Sequence, residues 1–146
     1  MLRVERSLTV ATPAPLIAAY LADFGHAVDW DPGTLSCERI DDGEIRVGTR
    51  WRNVSEFRGK RTELTYRLTR RDPGRITLVG NNRTATSTDD FTLHPGPAAT
   101  TVRYQATIVF HGLAKLASPF LKREFERLGD EVVPVLAARL QQLGAE

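Results

Sequence analysis

The side chains able to do chemistry are few, and most stand apart. His26, His94 and His111 are too widely spaced to form a ligand set, so no metal and no cofactor is expected. His94 sits in a His94-Pro95-Gly96-Pro97 turn, a surface position, while His26 and Asp29 mark a helix end where polar residues are common. No Gly-x-Ser-x-Gly motif, Cys–His pair or glycine-rich phosphate loop occurs, which disfavours nucleophilic hydrolysis and nucleotide chemistry. Aromatic and polar side chains in alternating segments carry more promise. Trp51, Tyr66, Phe91, Tyr104 and Phe110 fall on the apolar parity of their segments, and Asn53, Ser87 and Asp89 share it. Phe91 and Phe110 suit a core. Tyr66 and Tyr104 must also place a hydroxyl, and Trp30 and Trp51 an indole N–H, so they suit the wall of an apolar site. An inward Asn53 or Asp89 needs a partner: a ligand, a water or an internal arginine. Arg6, on the parity of Val4 and Leu8, is the candidate arginine. Tyr66 or Tyr104 with Asp89 and Arg6 would supply an acid/base pair and a donor for a developing enolate.

The elements that must position these residues follow from periodicity and turn chemistry. Leu2, Val4, Leu8 and Val10 alternate as a strand, and Glu5, Thr9, Thr12 and two prolines interrupt the pattern of a signal peptide. Thr12-Pro13 predicts a helix start, with Thr12 as cap and Pro13 in the first position. That helix should end near Gly25, followed by a short helix or turn to Trp30 and a break at Asp31-Pro32-Gly33. Residues 34–110 read as strands separated by turns at Asp42-Gly43, Arg58-Gly59, Asp72-Pro73-Gly74, Asn81-Asn82 and His94 to Pro97. Ser118 and Pro119 predict the start of a long terminal helix. Its apolar stripe includes Phe120, Leu121, Phe125, Val132, Leu136 and Leu140. Pro134 inside that pattern predicts a kink between residues 129 and 135.

Composition bounds the rest. The 146 residues suit one domain, residues 1–146, and the 41% hydrophobic and 26% charged content is globular. The longest apolar stretches run to only about seven residues, against about 20 for a membrane span. Cys37 is alone, which excludes an internal disulfide and suits a reducing compartment; a cytoplasmic location is expected. The net charge is only +2, yet ten basic side chains against three acidic ones fall in residues 46–75. Such an excess could steer an acidic partner, although a solvated sheet face explains it as well.

Seven strands at about 4.8 Å spacing make a sheet roughly 29 Å wide. A helix is only about 10–12 Å across, so one terminal helix cannot cover the apolar face of an open, flat sheet. The sheet must curl around the helix while the N-terminal helices plug one end, an arrangement that readily leaves an internal void. The expected class is α+β: a curved seven-stranded antiparallel sheet around a long C-terminal helix, with two short N-terminal helices.

At this point the chain resembles the SRPBCC or START-like superfamily, which implies a helix-grip fold, and within it the small bacterial polyketide cyclase/dehydrase and lipid-transport branch. The resembling stretches are residues 11–15 at the first helix, Trp30-Asp31-Pro32, and Val47-Gly48-Thr49-Arg50-Trp51. Phe91-Thr92-Leu93 and Thr100-Thr101-Val102 complete them. The likeness spans essentially the whole chain but rests on structural motifs, which identify fold better than activity. It implies an apolar or aromatic small molecule held between sheet and terminal helix. The expected contacts are Trp30, Trp51, Asn53, Tyr66, Asp89, Phe91, Tyr104 and Phe120. Three function classes remain. The first binds or carries a hydrophobic small molecule. The second is a polyketide aromatase/cyclase-dehydratase, whose substrate would arrive on an acidic acyl carrier protein. The third is an interaction module using residues 46–75 on a ribosome, RNA or anionic membrane. Nucleic acid is disfavoured because few aromatics interleave with the outward arginines.

Overall fold

The computed structural model describes residues 1–145. Strand β1 (Leu2–Val10) leads into helix α1 (Ala14–Ala22), a 3-10 turn (Phe24–His26) and the short helix α2 (Ala27–Trp30). Six strands follow: β2 (Thr34–Arg39), β3 (Arg50–Phe57), β4 (Lys60–Asp72), β5 (Arg75–Asn81), β6 (Ala85–Pro95) and β7 (Thr100–Phe110). A second 3-10 segment (Gly112–Ala117) runs into helix α3 (Ser118–Ala145).

All seven strands form one open antiparallel sheet in the order β1-β7-β6-β5-β4-β3-β2. Consecutive strands from β2 to β7 are neighbours, and β1 closes the order by pairing with β7 from Leu2 opposite Ile108 to Val10 opposite Thr100. The alternation seen in the sequence is the alternation of burial. Leu2, Val4, Leu8 and Val10 are buried on β1, Leu64, Tyr66 and Leu68 on β4, and Val102, Tyr104 and Ala106 on β7. Burying one face of a sheet enforces this period-two pattern. Bulges interrupt the register in β2 between Thr34 and Ser36 and in β4 between Leu68 and Arg70. Bulges bend a strand and increase its twist, which suits a sheet that must curl. The β3–β4 hairpin turns on Arg58 (φ 55°) and Gly59 (φ 76°). Two consecutive positive φ values make a turn whose twist matches the flanking strands.

Helix α3 lies over the buried face and packs most closely on β1. Gly129 makes this approach possible: a Cβ there would stand 2.7 Å from Cγ2 of Val4. The helix buries Phe125, Gly129, Val132, Leu136 and Leu140, one residue every three or four. It is uninterrupted through Pro134, where the sequence predicts a kink. Pro134 sits on the exposed side, so the carbonyl its missing N–H leaves unpaired is open to water.

Two predicted caps are corrected. Thr12 does not cap α1; Pro13 holds that position without a side-chain hydrogen bond. Thr12 is instead fully buried, with its hydroxyl donating to the Leu140 carbonyl near the end of α3. Its own carbonyl accepts from the Thr100 hydroxyl at 2.8 Å, so one residue joins β1, β7 and α3. Ser118 does not cap α3 either. It is already helical (φ −51°, ψ −48°) because the preceding 3-10 segment continues directly into the helix.

Candidate functional site

Between the sheet and α3 lies a cavity of about 820 Å³. Its walls are apolar where α3 faces it, at Leu121, Phe125 and Val132, and on β1 and β7, at Val4 and Ala106. Exposed lining residues Arg58, Lys60 and Arg61 place its mouth at the β3–β4 hairpin. Buried Tyr66, Asp89 and Tyr104 place its floor deeper along the same strands. The cavity exists because α3 leans on the β1 edge, while the strands between β3 and β6 receive no equally close cover.

The floor owes its geometry to sheet register. Asp89 stands opposite Ala106 on β7, and Tyr104 is the next residue of the same parity on that strand. Their side chains therefore meet on the diagonal, and the Tyr104 hydroxyl donates to Oδ1 of Asp89. Tyr66 pairs with Gly80 on β5, and Gly80 in turn pairs with Ser87 on β6. A Cβ on Gly80 would fall 2.6 Å from the Tyr66 ring, so glycine alone lets this phenol lie across β5 toward Ser87 and Asp89. Burial pushes the Asp89 carboxyl up to about 7, and the negative charge of Asp31 pushes the same way. The hydrogen bonds of Tyr104 and Tyr66 oppose that rise. Burial and the neighbouring Asp89 hold both phenols well above the usual tyrosine range. At neutral pH the floor therefore carries a carboxyl divided between its two protonation states and two hydroxyls that keep their protons.

Asp31 also lines the cavity. Its carboxylate accepts from the Gly33 N–H at 3.0 Å and the Thr34 hydroxyl at 2.9 Å, which holds the turn after α2. Burial raises its pKa more than those bonds lower it.

An aromatic cluster closes the inner end. Trp30 meets Phe91 edge to face at 5.5 Å and Tyr104 at 6.0 Å. Phe91 stacks on Tyr104 at 4.9 Å, and Phe24 lies 4.3 Å from Tyr66 and 6.3 Å from Trp51. Phe24 and Trp30, carried by the segment after α1, thus form the plug and lock the two floor tyrosines in place.

Of the expected residues, Tyr66, Asp89 and Tyr104 converge on the cavity. Trp30, Trp51 and Phe91 are buried behind it as packing, and the Trp51 indole N–H has no hydrogen-bond partner among the described residues. Asn53 is buried but faces Thr34, to whose hydroxyl it donates at 3.4 Å. Two placements are corrected. Phe120 is 77% exposed and lies outside the wall, because the helix turns it to solvent and presents Leu121 and Phe125 inward. Arg6 does not reach Asp89: its Nε pairs with Asp130 of α3 at 2.8 Å and its Nη2 donates to the Glu126 carbonyl. The partner of Asp89 is a tyrosine, not an arginine. His26 is likewise occupied elsewhere, stacked on Tyr20 at 4.2 Å with Nδ1 against the Tyr20 carbonyl at 2.8 Å. Burial pushes the Cys37 thiol up to about 12, so it is no nucleophile at neutral pH. The described residues contain no cluster of three His, Cys, Asp or Glu suited to a metal.

Sequence reasoning missed Phe24, Gly80, Asp31 and the pair Leu121 and Phe125. The apolar stripe contained the last two without distinguishing them from Phe120. The role of Gly80 depends on its strand partner, which no local pattern names.

The basic stretch is partly neutralised by its surroundings. Arg50 pairs with Asp41 at 2.9 Å, Arg52 with Glu63 at 3.1 Å and Arg75 with Asp90 at 2.7 Å, while Arg70 pairs with Asp72. The uniform cationic face that the segment's composition suggests is therefore broken into ion pairs.

A curled antiparallel sheet, a long C-terminal helix across it and a cavity between them define a START-like, helix-grip domain. The family model for polyketide cyclase / dehydrase and lipid transport matches residues 1–141, and the chain belongs to that family. Solved structures share the fold. A START superfamily protein from Mycobacterium smegmatis superposes with a TM-score of 0.78 at 18% identity, over 97% of this chain and 98% of that one. The Zhui aromatase/cyclase from Streptomyces sp. R1128 also gives 0.78, at 19% identity, over 96% and 93%. TTHA0849 from Thermus thermophilus gives 0.78 at 14% identity, over 96% and 97%. At such identities the likeness is one of fold. No curated protein matches the chain.

Proposed function

We propose that the protein binds or carries a hydrophobic or aromatic small molecule, lipid-like or polyketide-like, in the cavity between sheet and α3. The observation that carries this reading is a cavity of about 820 Å³ with apolar walls on α3, β1 and β7 and a small cluster of polar side chains around Asp89 at its floor. A void of that size left empty would forfeit packing throughout its lining, and most of its wall offers water no partners. Family membership supports the same reading. Native mass spectrometry of the freshly purified protein tests it. A discrete bound mass that leaves on denaturation is expected. An unliganded protein that also fails to take up apolar probes overturns the reading.

A second reading has its own observation. Asp89 and Tyr104 are hydrogen-bonded, line the cavity, and the carboxyl titrates near 7. A group poised there is suited to take a proton from carbon and return it to the alkoxide formed in the aldol step, then to take a second carbon-bound proton and return it to the hydroxyl that leaves as water. The neighbouring phenol would donate to the enolate oxygen. The substrate would be a poly-ketone delivered by an acyl carrier protein, for which Lys60 and Arg61 at the mouth offer a cationic approach, Arg58 beside them being paired with Glu124 at 3.8 Å. Asp89→Asn should then abolish turnover of such a substrate while leaving its binding in place. Unchanged turnover removes Asp89 from the chemistry.

A further inference from the structure

We propose that the cavity floor selects its ligand by charge: it accepts a neutral oxygen, as in a phenol, enol, alcohol or ketone, and rejects an acid, with Asp89 and Tyr104 as the specificity-determining residues. The inference rests on the binding reading above and adds which end of the ligand enters and what it carries.

Three features of the floor support it. The polar atoms that face the cavity at depth are the Asp89 carboxyl and the hydroxyls of Tyr104, Tyr66 and Ser87, with Asp31 a second carboxyl in the lining. Tyr104 occupies Oδ1 of Asp89 and the Tyr66 hydroxyl is engaged with Asp89 and Ser87, so the group the floor offers a ligand is the Asp89 carboxyl. The cations of the lining, Arg58, Lys60 and Arg61, all stand at the hairpin. Lys60 and Tyr66 share parity on β4 but are six residues apart, roughly 20 Å along a strand. Among the described residues, no lysine or arginine of the lining therefore stands beside the floor to neutralise an acid, and a carboxylate there would be desolvated beside Asp89 and Asp31.

A neutral oxygen meets the opposite situation. An ionised Asp89 accepts from an alcohol or phenol, and a protonated Asp89 donates to a ketone. Tyr104 and Tyr66 retain their protons over the same range, and Asp31, on the turn after α2, is the other charge facing the site. The two ligand types should therefore respond differently to pH. A phenol can use either state of Asp89, whereas a ketone needs the proton.

Four small aromatics separate these claims: naphthalene, naphthol, acetonaphthone and naphthoate, measured by calorimetry. Naphthol should bind about tenfold tighter than naphthalene, the size of one well-made buried hydrogen bond. Naphthoate should bind more weakly than naphthalene. Acetonaphthone should lose about tenfold in affinity between pH 6 and pH 8, following the protonated fraction of Asp89, while naphthol stays level. Asp89→Leu should reduce naphthol to the level of naphthalene. If that variant does not fold, Asp89→Asn, which is isosteric, should admit naphthoate by removing the repulsion. Naphthoate binding as tightly as naphthol, or naphthol no tighter than naphthalene, overturns the charge selection while leaving the cavity reading intact. Failure of all four to bind overturns the cavity reading itself.

Discussion

Asp89 contributes to the pH response of the fold as well as to the character of the site, and Asp31, whose pKa burial also raises, acts with the same sign. The Asp89 pKa is near 7 in the folded chain and about 4 when unfolded, so between those values the native state holds a proton that the unfolded state has lost. Its contribution is therefore fully present below about pH 4 and is lost as pH rises through 7, by up to about 1.4 kcal/mol per pH unit. Asp90, whose carboxylate is stabilised by Arg75 and Thr77, has a lowered pKa and the opposite sign, losing its contribution in acid. Chemical denaturation from pH 5 to 8 should show wild-type stability falling across this window. Asp89→Asn should flatten the fall and be the more stable protein at pH 8; an unchanged slope would place the Asp89 titration elsewhere. At Gly80 the added methyl of Ala would strike the Tyr66 ring, which Phe24 flanks at 4.3 Å. Gly80→Ala should cost about 1–3 kcal/mol and weaken ligand binding by displacing the phenol. Equal stability and affinity in that variant would mean that Tyr66 has another resting place.

Among the elements, α3 decides whether there is a cavity at all, and Gly129 decides where α3 sits. Alanine is favoured over glycine in a helix by about 1 kcal/mol, whereas forcing a methyl to within 2.7 Å of Val4 costs about 1–3 kcal/mol. The clash should win, so Gly129→Ala is expected to be destabilising. Val4→Ala removes the opposing atoms, and the double variant should be more stable than the sum of the single losses predicts. A double-mutant cycle with no coupling would show that α3 does not rest on β1 through this contact. The other end of α3 is held by Thr12. Thr12→Val keeps the shape but leaves the buried Leu140 carbonyl without this donor, and should lower stability by about 1–2 kcal/mol in denaturant melts.

At the scale of the molecule, the segment that leads into α3 presents large apolar side chains that are exposed in the chain. Leu113 is 87% exposed, Leu116 73% and Phe120 77%, all on the 3-10 segment and the first turn of α3. Phe125, one and a half turns further along, is buried against the cavity. Serine at all three exposed positions should leave the melting transition nearly unchanged, since surface changes usually fall within about 0.5 kcal/mol each. Phe125→Ala should cost about 3–5 kcal/mol, less if the cavity is already occupied by solvent at that wall. A large loss from the serine variant would mean that the segment packs in solution in a way the isolated chain does not require.

Much of this molecule could be read from local pattern. Alternation in residues 34–110 marked the strands, turn residues marked their ends, and the stripe from Phe120 to Leu143 marked the helix. Each of these signals is written in neighbouring residues, because sheet pleat and helix pitch have fixed periods. The width of seven strands against one helix also implied a curled sheet and an interior space. Tyr66, Tyr104 and Asp89 could be named as inward candidates from parity alone. Which inward residues meet was decided only in three dimensions. Parity gave Arg6 the right face of β1 but not its distance from β6, and Asp130 on α3 holds it instead. Asn53 had the right parity too, yet Thr34 was its neighbour. Phe120 belonged to an apolar stripe whose first turn faces water. The partner of Asp89, the cradle that Gly80 makes for Tyr66 and the contact of Gly129 with Val4 all join residues distant in sequence. Such contacts depend on strand register and on how closely a helix approaches a sheet, and neither is encoded within a single segment.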